Sequence, residues 1–359
     1  MDEPRDITRL FSKTIEFGYK QVLKFSLQNP AMGWFMTKTL LRFYADNHTR
    51  ERWAKKGICV PPMIIFSITS DCNLDCQGCY ARILHTPKKG DMSTEKLADI
   101  IDQADQLGVS VMMLAGGEPF KRQQLLNVTE KHPGIIFPIF TNGLLIDDHI
   151  TTRIKKQKNV LPVISLEGYE LETDQRRGEG VFEHARELIQ SFNREKIYFG
   201  ISITVTRNSY ASIKEGALIR NLVDQGCKAF FLVNYLPVDK GSENLALTQA
   251  QSDEMNSIAE RLRSMYPALF MTFPGGELSF GGCLAGGNGF IHINAEGLVE
   301  PCPFSPYTDA DLTRVTLIEA LKSPLLREIR AHSAQLLEAD GICALWKKRD
   351  WVASLVNGK

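Results

Sequence analysis

"SDCNLDCQGCYAR", residues 70–82, places Cys72, Cys76 and Cys79 on one short loop in the spacing C-x3-C-x2-C, with Tyr80 directly after the third. A tetrahedral zinc site usually draws its ligands from separated pairs. Here the three thiols share one loop and no nearby histidine completes a set, since His85 lies six residues on with nothing to fix it toward a metal. Three thiolates on a tight loop suit three irons of a [4Fe–4S] cluster and leave the fourth iron open to a small ligand. Structural zinc is the simpler alternative.

Working outward, the loop follows an apolar run, "MIIFSIT" (63–69), that predicts a strand. "STEKLADIIDQADQLG" (93–108) predicts a helix with Ser93 as N-cap and Gly108 as stop. "SVMMLAGGEP", "GIIFPIFTNG", "VLPVISLEG", "KIYFGISITVT" and "AFFLVNYLP" are five further apolar runs with helical stretches between them. Six such βα repeats imply a parallel sheet with helices outside, either a curved partial barrel or an open doubly wound sheet. In both, ligands bind at the carboxyl ends of the strands, where the cysteine loop, "GGEP", "TNG" and "SLEG" all fall.

The order of these segments resembles the radical S-adenosylmethionine (SAM) superfamily. The resemblance covers about residues 61–240 and implies an α/β fold with a partial (β/α)6 barrel at 61–275. It assigns Cys72, Cys76 and Cys79 to a [4Fe–4S] cluster whose open iron is chelated by the amine and carboxylate of SAM. Gly116, Gly117 and Glu118 match the GGE motif that meets the SAM amine. Ser165 and Glu167 match positions that contact the ribose. Arg177, or its neighbour Arg176, matches an arginine that pairs with the SAM carboxylate, and a guanidinium fork suits that group. Asn142 and Thr204 belong to the same end of the sheet. Relatives often have an aromatic before the third cysteine. This chain has Gly78 there, and Tyr80 is the expected substitute beside the adenine.

Cys283, Gly297 and Cys302 have the spacing C-x13-G-x4-C across a hairpin expected to turn at Glu296-Gly297. This is similar to the C-terminal SPASM and twitch modules of the superfamily, which hold auxiliary clusters. Only Cys343 is left to join them, so the resemblance implies one auxiliary [4Fe–4S] cluster in a small α+β iron–sulfur module at 276–359. Asp340 stands where the first cysteine of a C-x2-C would fall and is the expected fourth ligand. Substrate, water, His292 or Cys227 are the alternatives.

Residues 1–60 read as a helical segment, either a collar or a surface for a membrane or an apolar substrate. The acidic start and the lack of a long apolar run give no signal peptide or spanning helix, so the expected compartment is a reducing cytoplasm. Lys plus Arg equals Asp plus Glu at 42 each, which argues against nucleic-acid binding. The expected reaction is reductive cleavage of SAM to a 5′-deoxyadenosyl radical, followed by hydrogen abstraction from a small-molecule or peptide substrate. An electron donor such as flavodoxin or ferredoxin would supply the reductant. A peptide maturase, a non-catalytic iron–sulfur electron carrier and a zinc-binding interaction protein are the other readings.

Overall fold

The computed structural model describes residues 7–26, 29–274, 280–337 and 342–357. Seven parallel strands run in chain order: β1 (Met63–Thr69), β2 (Val111–Gly116), β3 (Phe137–Thr141), β4 (Val160–Leu166), β5 (Gly200–Val205), β6 (Ala229–Asn234) and β7 (Leu269–Phe273). The first six are the expected partial barrel. β7, "LFMTF", was not expected, because the run is short and leads into a glycine-rich stretch that masks it.

On the other edge β8 (Phe290–Ile293) pairs parallel with β1. β9 (Leu298–Glu300) and β10 (Ala310–Asp311) then follow antiparallel, so the hairpin at Gly297 is present and the whole forms one ten-stranded sheet. Gly297 has φ +89°, the left-handed conformation that this turn requires.

Each strand of the barrel divides its residues by face, as the two-residue period demands. Ile64, Phe66 and Ile68 of β1 are fully buried toward the helices, while Met63, Ile65, Ser67 and Thr69 line the interior. Phe230 and Leu232 of β6 face out to the helices, and Ala229, Phe231 and Val233 face in. Each fully buried side chain of this size contributes ~1.5–3 kcal/mol.

Several helices position the site. α1 (Ile7–Phe25) and α2 (Pro30–Ala54) form the expected N-terminal helical segment. α3 (Tyr80–Leu84) continues from the cysteine loop. In α4 (Thr94–Leu107) the Ser93 hydroxyl accepts from the Lys96 N–H at 3.2 Å, and Gly108 ends the helix with φ +87°. A helix at Glu170–Arg177 was not expected, because "ELETDQRR" is too polar to show an apolar period. The stretch at 316–337 breaks at Pro324 into two helices, Leu317–Ala320 and Pro324–Ala331. His132 is buried between Asp102 and Asp105.

α1 and α2 pack across the amino end of the sheet, opposite the cysteine loop. The Tyr19 hydroxyl donates to the Ser110 carbonyl at 3.1 Å, just before β2. The Arg50 guanidinium donates to the Ser110 hydroxyl at 2.9 Å and to the Gly108 carbonyl. Burial pulls Arg50 down to about 10, and Asp46 offsets part of that fall. Among the described residues no helix is long and apolar enough to cross a membrane. Arg50→Ala strips donors from two buried acceptors and should cost ~2–4 kcal/mol. A thermal melt followed by circular dichroism reads this, and an unchanged midpoint would remove Arg50 from the fastening of α2.

Candidate active site

The cysteine loop is held at its first residues by backbone contacts. The Gly117 N–H donates to the Thr69 carbonyl and the Glu118 N–H to the Asp71 carbonyl, both at 2.8 Å. The chains lie so close that a Cβ on Gly116 would stand 2.2 Å from the Thr69 oxygen, and one on Gly117 would stand 2.1 Å from the Asp71 oxygen. Only glycine fits at either position. Asp91 adds a clasp that the sequence did not reveal: its carboxylate accepts from the Thr69 hydroxyl at 2.5 Å and the Ser70 hydroxyl at 2.7 Å.

Glu118 is almost fully buried. Its carboxylate accepts from the Thr141 hydroxyl at 2.8 Å, the Asn142 N–H at 2.9 Å and the Phe120 N–H at 3.1 Å. Burial raises its pKa above the ordinary range, against the pull of these donors. Its observed work is to tie the GGE turn to "TNG". Asn142 then reaches the loop itself, donating from Nδ2 to Asn73 at 2.9 Å.

The far side of the loop is fixed by Arg176. The Gln77 N–H donates to the Arg176 carbonyl at 3.0 Å, and Arg176 Nε returns a bond to the Gln77 carbonyl at 3.1 Å. Arg176 Nη1 also donates to Thr204 at 3.0 Å. Glu167 stands behind both arginines, its Oε1 accepting from Arg176 Nη1 at 2.5 Å and from Arg177 Nε at 2.8 Å. Among the described residues its buried Oε2 accepts no hydrogen bond. Burial raises the Cys76 thiol, and Arg177 and Arg176 draw it back toward the thiolate.

Gly78 has φ +65°, and a Cβ there would meet the Tyr235 hydroxyl at 2.5 Å. Tyr235, just past β6, therefore occupies the space beside the third cysteine. Tyr80 also lines the cavity, and its ring meets Phe304 edge-on at 5.1 Å and His85 at 6.3 Å. Burial raises its hydroxyl well above the usual range, and the neighbouring Cys79 and Cys302 add to that. Tyr80 thus stands between the two cysteine sets.

One cavity of about 1380 Å³ is lined by Cys72, Cys76 and Cys79 and by Cys283, Cys302 and Cys343. Gly116, Gly117, Glu118, Asn142, Ser165, Arg176, Arg177 and Thr204 also line it, and Glu167 does not. Cys283, Cys302 and Cys343 are buried without disulfides, and burial plus their mutual repulsion raises Cys302 well above the usual thiol range. Asp340 lies outside the described residues. Two of the alternative ligands, His292 and Cys227, do not line the cavity that the three cysteines share. His292 has both ring nitrogens engaged, with Ser67 at 2.8 Å and Glu300 at 2.7 Å. Cys227 lies in the outer core, pushed up to about 12 by burial.

The donors fit iron–sulfur clusters rather than single ions. Thiolates on one tetrahedral zinc stand ~3.8 Å apart, given Zn–S bonds of about 2.3 Å. Among the described residues, only His85, His292 and Glu300 bring three ligand atoms within 4.8 Å of one another. Neither cysteine trio is so tight, as befits thiolates that each take a separate iron.

The Gly78 contact can be read by substitution. Gly78→Ala places a side chain at positive φ against Tyr235 and should lower iron retention after anaerobic reconstitution. Gly78→Ala with Tyr235→Phe removes the nearest atom and should recover part of it. Equal iron in all three proteins would deny Tyr235 this place.

Residues 66–214 match the family described as the radical SAM superfamily. The chain is 27% identical over 212 residues to the Fe-coproporphyrin III synthase of Methanosarcina barkeri; the match covers 57% of this chain and 52% of that protein, about half its length. It is 24% identical over 323 residues to the pre-heme d1 synthase of Dinoroseobacter shibae, covering 79% of each. The crystal structure of Streptococcus suis SuiB shares the fold with a TM-score of 0.64 at 19% identity, over 86% of this chain and 76% of that one. The matched span begins in β1 and carries the cysteine loop, the GGE turn and both arginines, on a sheet of the same fold: residues 66–214 of this chain form a radical SAM domain.

Proposed function

We propose that this enzyme abstracts a hydrogen atom from a large, mainly apolar substrate of about the size of a porphyrin, with one auxiliary iron–sulfur cluster at Cys283, Cys302 and Cys343. The observation that carries this reading is the single cavity onto which both cysteine sets open. Its volume exceeds the usual ~300–1,000 Å³ of small-ligand sites. Its polarity is graded along the strands. Thr69, Asn142, Ser165, Ser202 and Thr204 lie toward the carboxyl ends, near Cys72, Cys76 and Cys79. Met63, Val111, Val160, Ala229 and Leu269 lie toward the amino ends, where Phe11, Tyr19 and Met36 of the helical cap close over them. SAM suits the polar end and an apolar body the remainder. Lys158, Lys228 and Arg263 line the cavity and offer charge to substrate carboxylates. The two relatives named above are both named for porphyrin or haem-type products.

When bound, the reduced cluster supplies one electron to the sulfonium of SAM, splitting it into methionine and a 5′-deoxyadenosyl radical that takes hydrogen from the substrate. The chain's own groups position and enclose. Arg177 and Arg176 offer forked donors to a carboxylate, and Glu167 keeps both guanidinia in place. Gly116 and Gly117 bring backbone within reach of an amine. The apolar walls keep water from the radical. The boundaries near residues 60 and 275 belong to this proposal, as does the assignment of the last segment to a twitch-like module.

Anaerobic reconstitution should give about eight irons per chain, as two four-iron clusters. Replacing Cys283, Cys302 and Cys343 by Ala should remove about half of that iron. About four irons in the unaltered chain would remove the auxiliary site. Reduced enzyme with SAM should release 5′-deoxyadenosine, and replacing Cys72, Cys76 and Cys79 by Ala should abolish the release. Porphyrins should bind the reconstituted chain and shift its visible spectrum; no shift with any porphyrin would sink the proposed substrate class.

A further inference from the structure

Beside the cavity, His85, His292 and Glu300 come together from three elements. His85 follows α3, His292 is on β8 and Glu300 ends β9. Their ligand atoms all lie within 4.8 Å of one another. His292 is fully buried, Glu300 is 2% exposed and the His85 side chain is 8% exposed.

The hydrogen bonds leave one atom without a donor or an acceptor. His85 Nε2 lies 2.7 Å from the Pro303 carbonyl, which only accepts, so Nε2 carries the hydrogen. Nδ1 faces Glu300 Oε2 across 3.5 Å without a hydrogen bond, as an ion pair when the ring is protonated and as a lone pair against a carboxylate when it is neutral. A divalent cation between them takes the place of that proton.

The surroundings are already arranged for one. Asn294 Nδ2 donates to Glu300 Oε1 at 2.9 Å, which fixes the carboxylate and leaves Oε2 for a metal. His292 Nδ1 lies 2.7 Å from the same Oε2, and its Nε2 lies 2.8 Å from the Ser67 hydroxyl. A hydroxyl accepts as readily as it donates. The His292 hydrogen therefore moves from Nδ1 to Nε2, Ser67 accepts it, and Nδ1 is free to ligate. Both imidazoles then donate their outer N–H to a fixed acceptor, the usual support of metal-bound histidine.

We propose that His85 Nδ1, His292 Nδ1 and Glu300 Oε2 bind a divalent metal ion, zinc in the first place. Two imidazoles and one carboxylate form a zinc donor set. Bonds of about 2.0–2.1 Å at tetrahedral angles place ligand atoms ~3.4 Å apart; the His85–Glu300 pair already stands at 3.5 Å, and the His292–Glu300 pair at 2.7 Å opens when the ion replaces their hydrogen bond. Of the three residues only His85 reaches the cavity wall, so the ion is a fastening and not a reaction centre. It joins the helix that leaves the first cysteine set to the hairpin that delivers Cys302. The proposal does not depend on the identity of the substrate.

The test uses the full chain with its clusters reconstituted anaerobically, supplied with zinc sulfate and desalted. Elemental analysis should find about one zinc per chain beside the iron, and zinc-edge X-ray absorption should show nitrogen and oxygen at ~2.0–2.1 Å with no sulfur at about 2.3 Å. His85→Gln and Glu300→Gln should each lower zinc at least ~10-fold while iron is retained. No retained zinc, sulfur-ligated zinc, or full zinc in both variants would overturn the site. The absorption spectrum of the unaltered chain identifies the ligands even if a variant fails to fold.

Discussion

The structure depends on the approach of two backbones, the end of β1 and the end of β2, at a distance only glycine allows. The Gly117 and Glu118 N–H groups bond the carbonyls of Thr69 and Asp71, at the start of the cysteine loop. A loop that must bring three thiols to one cluster loses much conformational freedom. Here hydrogen bonds from the protein itself offset part of that loss. Asp91 clasps its first residues, Asn142 its middle and Arg176 its far end. Asn142 and Arg176 also line the cavity, so there loop geometry and ligand geometry are set together.

Much of this was legible in the sequence because its determinants are local. The cysteine spacing, the two glycines and the strand-end positions of "TNG" and "SLEG" each follow from residues close in the chain. The six barrel strands and the cap of α4 were legible for the same reason. What escaped was set by contacts distant in sequence. Tyr235 fills the place beside Gly78 from the far side of the barrel, and Tyr80, the nearer aromatic, meets Phe304 edge-on. Glu167 looked like a ligand contact and is first a support for two guanidinia. His85 lacked any fixed direction until the hairpin supplied Pro303 and Glu300.

The two cysteine sets are also unlike in their surroundings. Cys72 is exposed and Cys76 and Cys79 are partly so, whereas Cys283, Cys302 and Cys343 are all buried. A thiol in an apolar setting holds its proton until a metal replaces it. The second set is therefore the more shielded from solvent.

The pairing of β8 with β1 has a consequence for how the chain can be divided. β1 carries the cysteine loop at its end, and its outer edge is covered only by β8. Cutting the chain before the hairpin would bare a row of unpaired N–H and carbonyl groups along an apolar strand, a ready template for intermolecular pairing. The last segment is thus no detachable accessory. It is the selvedge of the barrel, and a version of the enzyme trimmed to its matched core would be expected to aggregate.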